Sequence, residues 1–253
     1  MKLLLSNDDG IYAEGLRALQ EQFATGWTTT VVAPDRERSA ISHAITLETP
    51  IRSHKIAGRN GETAYAVSGT PADCIKLALM ELLTDRPDLM ISGINPGANA
   101  GININYSGTL AAAREATLYG IPALAISIMA RQPRFYDQTA KFAAGLAQTI
   151  VAQGLAAGTF LNVNVPDLPM DRIKGVRISR QNIKPFKEQM ERRMDPRQRP
   201  YFWHSVLPNA SPAESESDLA AISEDFISIT PIKCDTTDYQ SIQSLKSWNI
   251  RVR

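Results

Sequence analysis

Over roughly its first 180 residues the chain alternates short apolar runs with amphipathic segments, and this alternation restricts the possible folds more than any other feature. Residues 3–5, 28–33, 64–67, 88–92, 123–127, 160–165 and 176–179 read as strands, with a further one expected over 45–52. Several are apolar throughout, as strands of a parallel sheet covered on both faces are. Helices are expected between them. One carries Leu16, Leu19 and Phe23 at helical spacing, and an alanine-rich one over 110–119 is stopped by Gly120 and Pro122. Another covers 137–153, with Phe142, Leu146 and Ile150 on one face. At Thr70-Pro71-Ala72-Asp73 a capping Thr, a first-position Pro and an acid three residues on mark a helix start, so Asp73 reads as a cap rather than a catalytic group. The expected fold is α/β, a Rossmann-like, doubly wound, mostly parallel sheet.

The 253 residues suit one such core over 1–180 with a C-terminal extension over 181–253 used for oligomerisation. Residues 184–204 hold six Lys or Arg against three acids, and the stretch that follows carries Glu214, Glu216, Asp218, Glu224 and Asp225. Opposite charge blocks, the aromatic triplet Tyr201-Phe202-Trp203 and a strand-like run over 226–232 suggest arms that pack on the core and on a neighbouring subunit. A terminal amphipathic helix over 240–248 is expected to turn Ile242 and Leu245 inward.

With 27 Lys and Arg against 26 acids, there is no electrostatic case for nucleic-acid polymers or membrane surfaces as partners. No apolar run approaches the ~20 residues of a membrane span, and the N-terminus has no signal-peptide layout. The expected location is cytoplasmic. Cys74 and Cys234 are the only cysteines, so neither a disulfide framework nor a cysteine-based zinc site is indicated.

The first strand breaks off into Ser6-Asn7-Asp8-Asp9-Gly10. In open α/β sheets ligands bind beyond the carboxyl ends of the strands. Adjacent carboxylates there repel unless a hard cation lies between them, although Asp-Asp-Gly is also ordinary turn chemistry. A glycine-rich loop over 93–101 offers the Asn95 amide oxygen, and Ser39, after the second strand, a hydroxyl. Such oxygen donors suit Mg²⁺, Mn²⁺ or Ca²⁺. His43, His54 and His204 show no ligand-pair spacing, which argues against zinc, and His43, near Ser39, reads as structural before catalytic.

Ser107-Gly108-Thr109 opens the alanine-rich helix, where free N–H groups make either a plain N-cap or an anion cradle. The glycine-rich loop just upstream favours phosphate. A divalent metal beside such a cradle is minimal equipment for hydrolysing a phosphate ester. P-loop, dinucleotide and G-x-S-x-G motifs are all missing, and Asp8 and Asp9 are adjacent rather than spaced by one as in aspartyl-phosphate phosphatases.

These residues resemble the SurE family of stationary-phase survival proteins, which are 5′/3′-nucleotidases. The resemblance rests on the segments 6–10, 32–39, 68–74, 92–99, 106–109, 162–166 and 227–231, in order along nearly the whole chain. It implies one divalent cation per subunit, Mg²⁺ or Mn²⁺ with Ca²⁺ as a crystal substitute, on Asp8, Asp9, Ser39 and Asn95. It also implies catalytic roles for Asp8 and Asn95, phosphate contacts from Asn99, Ser107, Gly108 and Thr109, nucleoside monophosphates as substrates and a homodimer or homotetramer. Departures are Ala40, where the family pattern has Gly, and Ile102 and Asn103, where an acid is usual; residues 184–225 match poorly. The rival expectations are a phosphatase of other substrates such as polyphosphate, and a non-catalytic nucleotide-binding regulator.

Overall fold

The N-terminal apolar run forms β1 (Lys2–Ser6), parallel to β2 (Thr28–Pro34) on one side and to β5 (Leu89–Pro96) on the other. This computed structural model describes residues 1–58, 61–184, 187–207 and 214–252. Beyond β2 the sheet adds β4 (Thr63–Val67), parallel, and β3 (Ser53–Ala57), antiparallel, at the edge. Beyond β5 come β6 (Ala123–Met129) and β7 (Thr159–Pro166), both parallel, then β11 (Ile227–Lys233), antiparallel to β7, and β8 (Val176–Ile178) at the far edge. The chain winds away from β1 in both directions, so the switch point of this doubly wound sheet lies between β1 and β5.

Side-chain alternation along β1 divides the core. Leu3 and Leu5 join the cluster with Leu16, Leu19 and Phe23 from α1 (Glu14–Gln22) and its end, and with Ala140, Ala143 and Ile150 from α4 (Tyr136–Gln153). Leu4 faces the opposite layer, Cys74 and Ile75 of α2 (Pro71–Leu77) and Ala112 and Ala116 of α3 (Gly108–Leu118). Small residues on α3 let it lie close over β5 and β6. The remaining elements are an antiparallel hairpin of β9 (Lys187–Met194) and β10 (Pro200–Leu207), the short α5 (Asp218–Ser223) and α6 (Tyr239–Lys246). Among the described residues no helix is long and apolar enough to cross a membrane.

The Thr70 start is a full capping box: Thr70 Oγ1 accepts from Asp73 N at 3.1 Å and Asp73 Oδ2 from Thr70 N at 2.9 Å. Three sequence expectations change. Residues 45–52 form no strand, because Thr46 N and Oγ1 donate to the Asp73 carboxylate at 3.0 and 2.6 Å, and Ala44 O accepts from Thr70 Oγ1 at 2.7 Å. The segment is tied to the start of α2 instead. The strand over 88–92 does not end at Gly93: β5 runs to Pro96, with its register to β6 shifted between Ser92 and Asn95. Gly93 has φ 140°, and a Cβ there would sit 2.3 Å from Ile126 O, so glycine is required at this bulge. In α6, Ile242 is half-buried and Leu245 is 44% exposed, so its apolar stripe lacks a core in this chain. The part read as an extension also enters the sheet, since β11 lies between β7 and β8.

Candidate active site

At the end of β1 the buried Asn7 folds its own turn. Its Nδ2 donates to Gly10 O at 2.9 Å and its Oδ1 accepts from Gly10 N at 3.2 Å. This sets Asp8 and Asp9 beyond the carboxyl edge of the sheet. Thr109 Oγ1 donates to Asp8 Oδ1 at 2.6 Å, and the Gly108 and Thr109 N–H groups beside the same carboxylate favour its charged form. Burial pushes the Asp8 carboxyl above its ordinary range, with those hydrogen bonds opposing the shift. Burial first, then the Asp8 and Glu37 charges, push Asp9 up to about 7. Asp9 Oδ2 is buried and has no hydrogen-bond partner among the described residues.

Ser39 arrives from the end of β2 on a loop pinned at several points. Arg38 N donates to Asp8 O at 2.7 Å, and Arg38 Nη2 to Ser68 O at 3.1 Å. Further on, Ser42 N donates to Tyr106 O at 2.9 Å and Ser42 Oγ to Asn105 O at 2.7 Å. Ser39 Oγ donates to Glu37 Oε1 at 2.6 Å, which leaves its lone pairs available. From β5, Asn95 Nδ2 donates to Gly97 O at 2.7 Å and Pro96 O at 3.2 Å, leaving Oδ1 as the group available to a ligand.

The loop after β5 is held from far along the chain. Asn99 N donates to Asn164 Oδ1 at 2.8 Å, and Asn99 O accepts from Asn162 Nδ2 at 2.8 Å and Asn164 Nδ2 at 3.1 Å. Asn99 Nδ2 donates to Ser127 Oγ at 2.9 Å and reaches Thr109 Oγ1 at 3.4 Å. Two residues on, Gly101 N donates to Asp218 Oδ2 at 2.8 Å, while Asp218 Oδ1 accepts from Asn182 N at 3.0 Å and Leu219 N at 2.8 Å. Gln181 Nε2 donates to Gly101 O at 2.9 Å. Asp218 is fully buried, and so are Asn162 and Asn164. The sequence reading assigned none of the three a role at the site. The signal for the asparagines was present: two amides on one face of an otherwise apolar strand need buried partners.

The start of α3 uses its free N–H groups within the protein. Those of Gly108 and Thr109 lie beside the Asp8 carboxylate and favour its charge, Leu110 N donates to Ser107 Oγ at 3.1 Å, and Ala111 N to Ser107 O at 3.1 Å. The anion at this helix N-terminus is therefore the Asp8 carboxylate. A Cβ on Gly108 would fall 2.7 Å from Asp8 Cβ, so glycine permits this approach. Thr109 is fully buried, whereas Ser107, accepting through Oγ, keeps its O–H free to donate.

Asp8, Asp9, Ser39, Asn95, Asn99 and Ser107 line one open cavity of about 710 Å³; Gly108 and Thr109 stand behind it. Glu37 is the only other charged Asp, Glu, Lys or Arg side chain in the lining, so three acids meet there without a cationic Lys or Arg among the described residues. A divalent cation fits this donor set: all oxygen, two carboxylates pushed toward protonation, and one buried carboxylate oxygen without a partner. No cluster of three Asp, Glu, His or Cys suited to a metal occurs among the described residues, so Ser39 and Asn95 would have to complete the set. His43 does not line the cavity; its Nε2 lies 2.7 Å from Glu115 Oε2, and Lys76 Nζ donates to Glu115 Oε1 at 3.0 Å. Burial raises and the His43 and Lys76 hydrogen bonds lower the Glu115 carboxyl, with a net downward shift. A cleft of similar size, about 670 Å³, lies by β8, but its Arg177 and Arg180 are paired with Glu224 and Glu214 and it holds none of the candidates.

Residues 3–188 match the family described as survival protein SurE. A protein called 5′-nucleotidase SurE from Desulfatibacillum aliphaticivorans is 48% identical over 250 residues, covering 99% of both chains. One of the same name from Geotalea daltonii is 45% identical over 251 residues, covering 99% of this chain and 100% of the other. The crystal structure of the SurE protein from Aquifex aeolicus superposes with a TM-score of 0.87 at 35% identity, covering 98% of this chain and 99% of that one.

Proposed function

The chain belongs to the SurE family, and from that premise we propose that it is a 5′-nucleotidase, a divalent-metal-dependent phosphatase that also accepts 3′-monophosphates. The observation that carries the reading is the cavity itself, in which paired carboxylates with an unpartnered oxygen face a free Ser107 hydroxyl. An anionic substrate could not settle beside three acids unless a cation intervened. Asp8, Asp9, Ser39 and Asn95 would hold Mg²⁺ or Mn²⁺, which when bound supplies charge neutralisation at the phosphoryl group and a water nucleophile at neutral pH.

The chain's own residues do the positioning. Ser107 donates its O–H to a phosphate oxygen, and Asn99 forms the adjacent wall. Gly108 and Thr109 serve phosphate indirectly, Thr109 by fixing Asp8 through its hydroxyl and Gly108 by allowing the carboxylate to approach the helix start. Asn95 presents Oδ1 because its amide protons are engaged within its own loop. The reading extends to self-association, supported by Tyr201, Trp203, Trp248 and Ile250, which are 40–78% exposed on β10 and after α6.

The test is phosphate release from AMP, 3′-AMP and short polyphosphate after EDTA treatment, with Mg²⁺ or Mn²⁺ then restored. Metal-dependent release from the nucleotides, lost in Asp8→Asn, is the expected result. Release from polyphosphate alone would overturn the substrate assignment. Saturable nucleotide binding without release under any metal would make the protein a binding module instead.

A further inference from the structure

The residues proposed to handle metal and phosphate are only part of the lining of the 710 Å³ cavity, a volume suited to a whole nucleotide. The lining also holds residues of another character: Pro96, Asn103 and Tyr106 from β5 and the segment leading to α3, and Met190 and His204 from the hairpin. Met190 belongs to β9 and His204 to β10, and the hairpin register places them directly opposite each other. Cross-strand partners project from the same face of a ribbon, so both reach the cavity as one pair. Glu191 and Trp203, the next pair, belong to the other face. The segment at 181–182, shortly before the hairpin, is fixed beside the site, where Gln181 Nε2 holds Gly101 O and Asn182 N is held by Asp218.

The geometry points to the β9–β10 hairpin as the nucleoside-binding wall of the cavity, with Met190 and His204 facing Tyr106 across the base. The inference rests on the nucleotidase reading and assigns the part of the substrate that the acidic end leaves unrecognised. A thioether is polarizable and packs well on an aromatic face. Imidazole adds a second flat surface on which a base can stack. Tyr106, 54% exposed, supplies the aromatic surface opposite. Contacts of this kind tolerate any base, because every base has a π face.

The experiment compares AMP with ribose 5-phosphate, which presents the same phosphate ester without a base. In the Met190→Ala/His204→Ala double variant, kcat/KM for AMP falls about tenfold, mainly through KM, while that for ribose 5-phosphate stays at the wild-type value. Arg193→Ala, on the opposite face of the ribbon, leaves both unchanged. Met190 is 65% exposed and His204 is also exposed, so the double variant keeps its thermal midpoint. An unchanged ratio of the two kcat/KM values, or an equal loss on both esters, would overturn the assignment. Turnover of neither ester by the wild-type protein would bring down the nucleotidase reading itself.

Discussion

The loops after β1 and β5 sit side by side at the switch point, yet they are held in different ways. The β1 loop is closed locally, by the Asn7 amide three residues from Gly10. From a distance it is reached by the start of α3 and by the loop after β2, whose Arg38 N donates to Asp8 O. The β5 loop has its internal Asn95 bonds, but Asn99 and Gly101 depend on Asn162, Asn164, Gln181 and Asp218, which are 63 to 117 residues away. One loop carries its carboxylates on a self-contained turn. The other is shaped by β7 and by the segment flanking the hairpin. On the proposed reading metal binding would answer mainly to the N-terminal part of the chain, whereas placement of Asn99 answers to the C-terminal part.

The largest expected effect comes from disturbing the α3 start that holds the first loop's carboxylate. Gly108→Ala puts a methyl 2.7 Å from Asp8 Cβ and displaces the carboxylate. A shift of about 1 Å at such a group costs on the order of 100-fold in kcat/KM, although Ala would favour the helix by about 1 kcal/mol. Activity lost with the thermal midpoint retained is the predicted signature, read by kinetics and calorimetry together.

Next is pH dependence. Asp9 is raised to about 7 in the folded protein by burial, Asp8 and Glu37. A raised carboxyl pKa means that the folded state binds the proton more tightly than the unfolded one between the ordinary range and 7. Metal-free stability therefore falls as pH rises through that window, by roughly 4 kcal/mol from this group. Urea midpoints in EDTA at pH 5 and 8 check the sign, and Asp9→Asn removes this part of the slope.

The second loop is tested by Asp218→Asn. An amide keeps one acceptor oxygen, so either Gly101 N or the Asn182 and Leu219 amides lose a partner. The expected cost is about 1–3 kcal/mol of stability, and about tenfold weaker competitive inhibition by inorganic phosphate, while Mn²⁺ affinity is retained. Equal losses in metal and phosphate affinity would erase the difference between the loops. The smallest effect is Ala40→Gly. Ala40 has φ 55°, a conformation glycine adopts at no steric cost, so the change stabilises by about 0.5–1 kcal/mol in thermal unfolding.

Legibility in the sequence follows the same division. The acidic turn, the capping box at Thr70 and the α3 start are local patterns, and each was readable from consecutive residues. The β5 bulge was not, because Gly93 is required by the Ile126 carbonyl of a neighbouring strand. Asp218 looked like one acid of a charged block, and only folding brings it to Gly101. Residues 45–52 carry strand-forming types, but Asp73 captures Thr46 first. The Met190–His204 pair needed the hairpin register to be recognised at all.

The most direct test of the account is Mn²⁺ binding to metal-free protein, followed by calorimetry at pH 6 and pH 8. The account predicts one site per chain, lost in Asp8→Asn and weakened in Asn95→Ala. It also predicts more proton release on binding at pH 6 than at pH 8, because Asp9 must ionise. Binding that survives Asp8→Asn unchanged, or shows no proton release at pH 6, would contradict it.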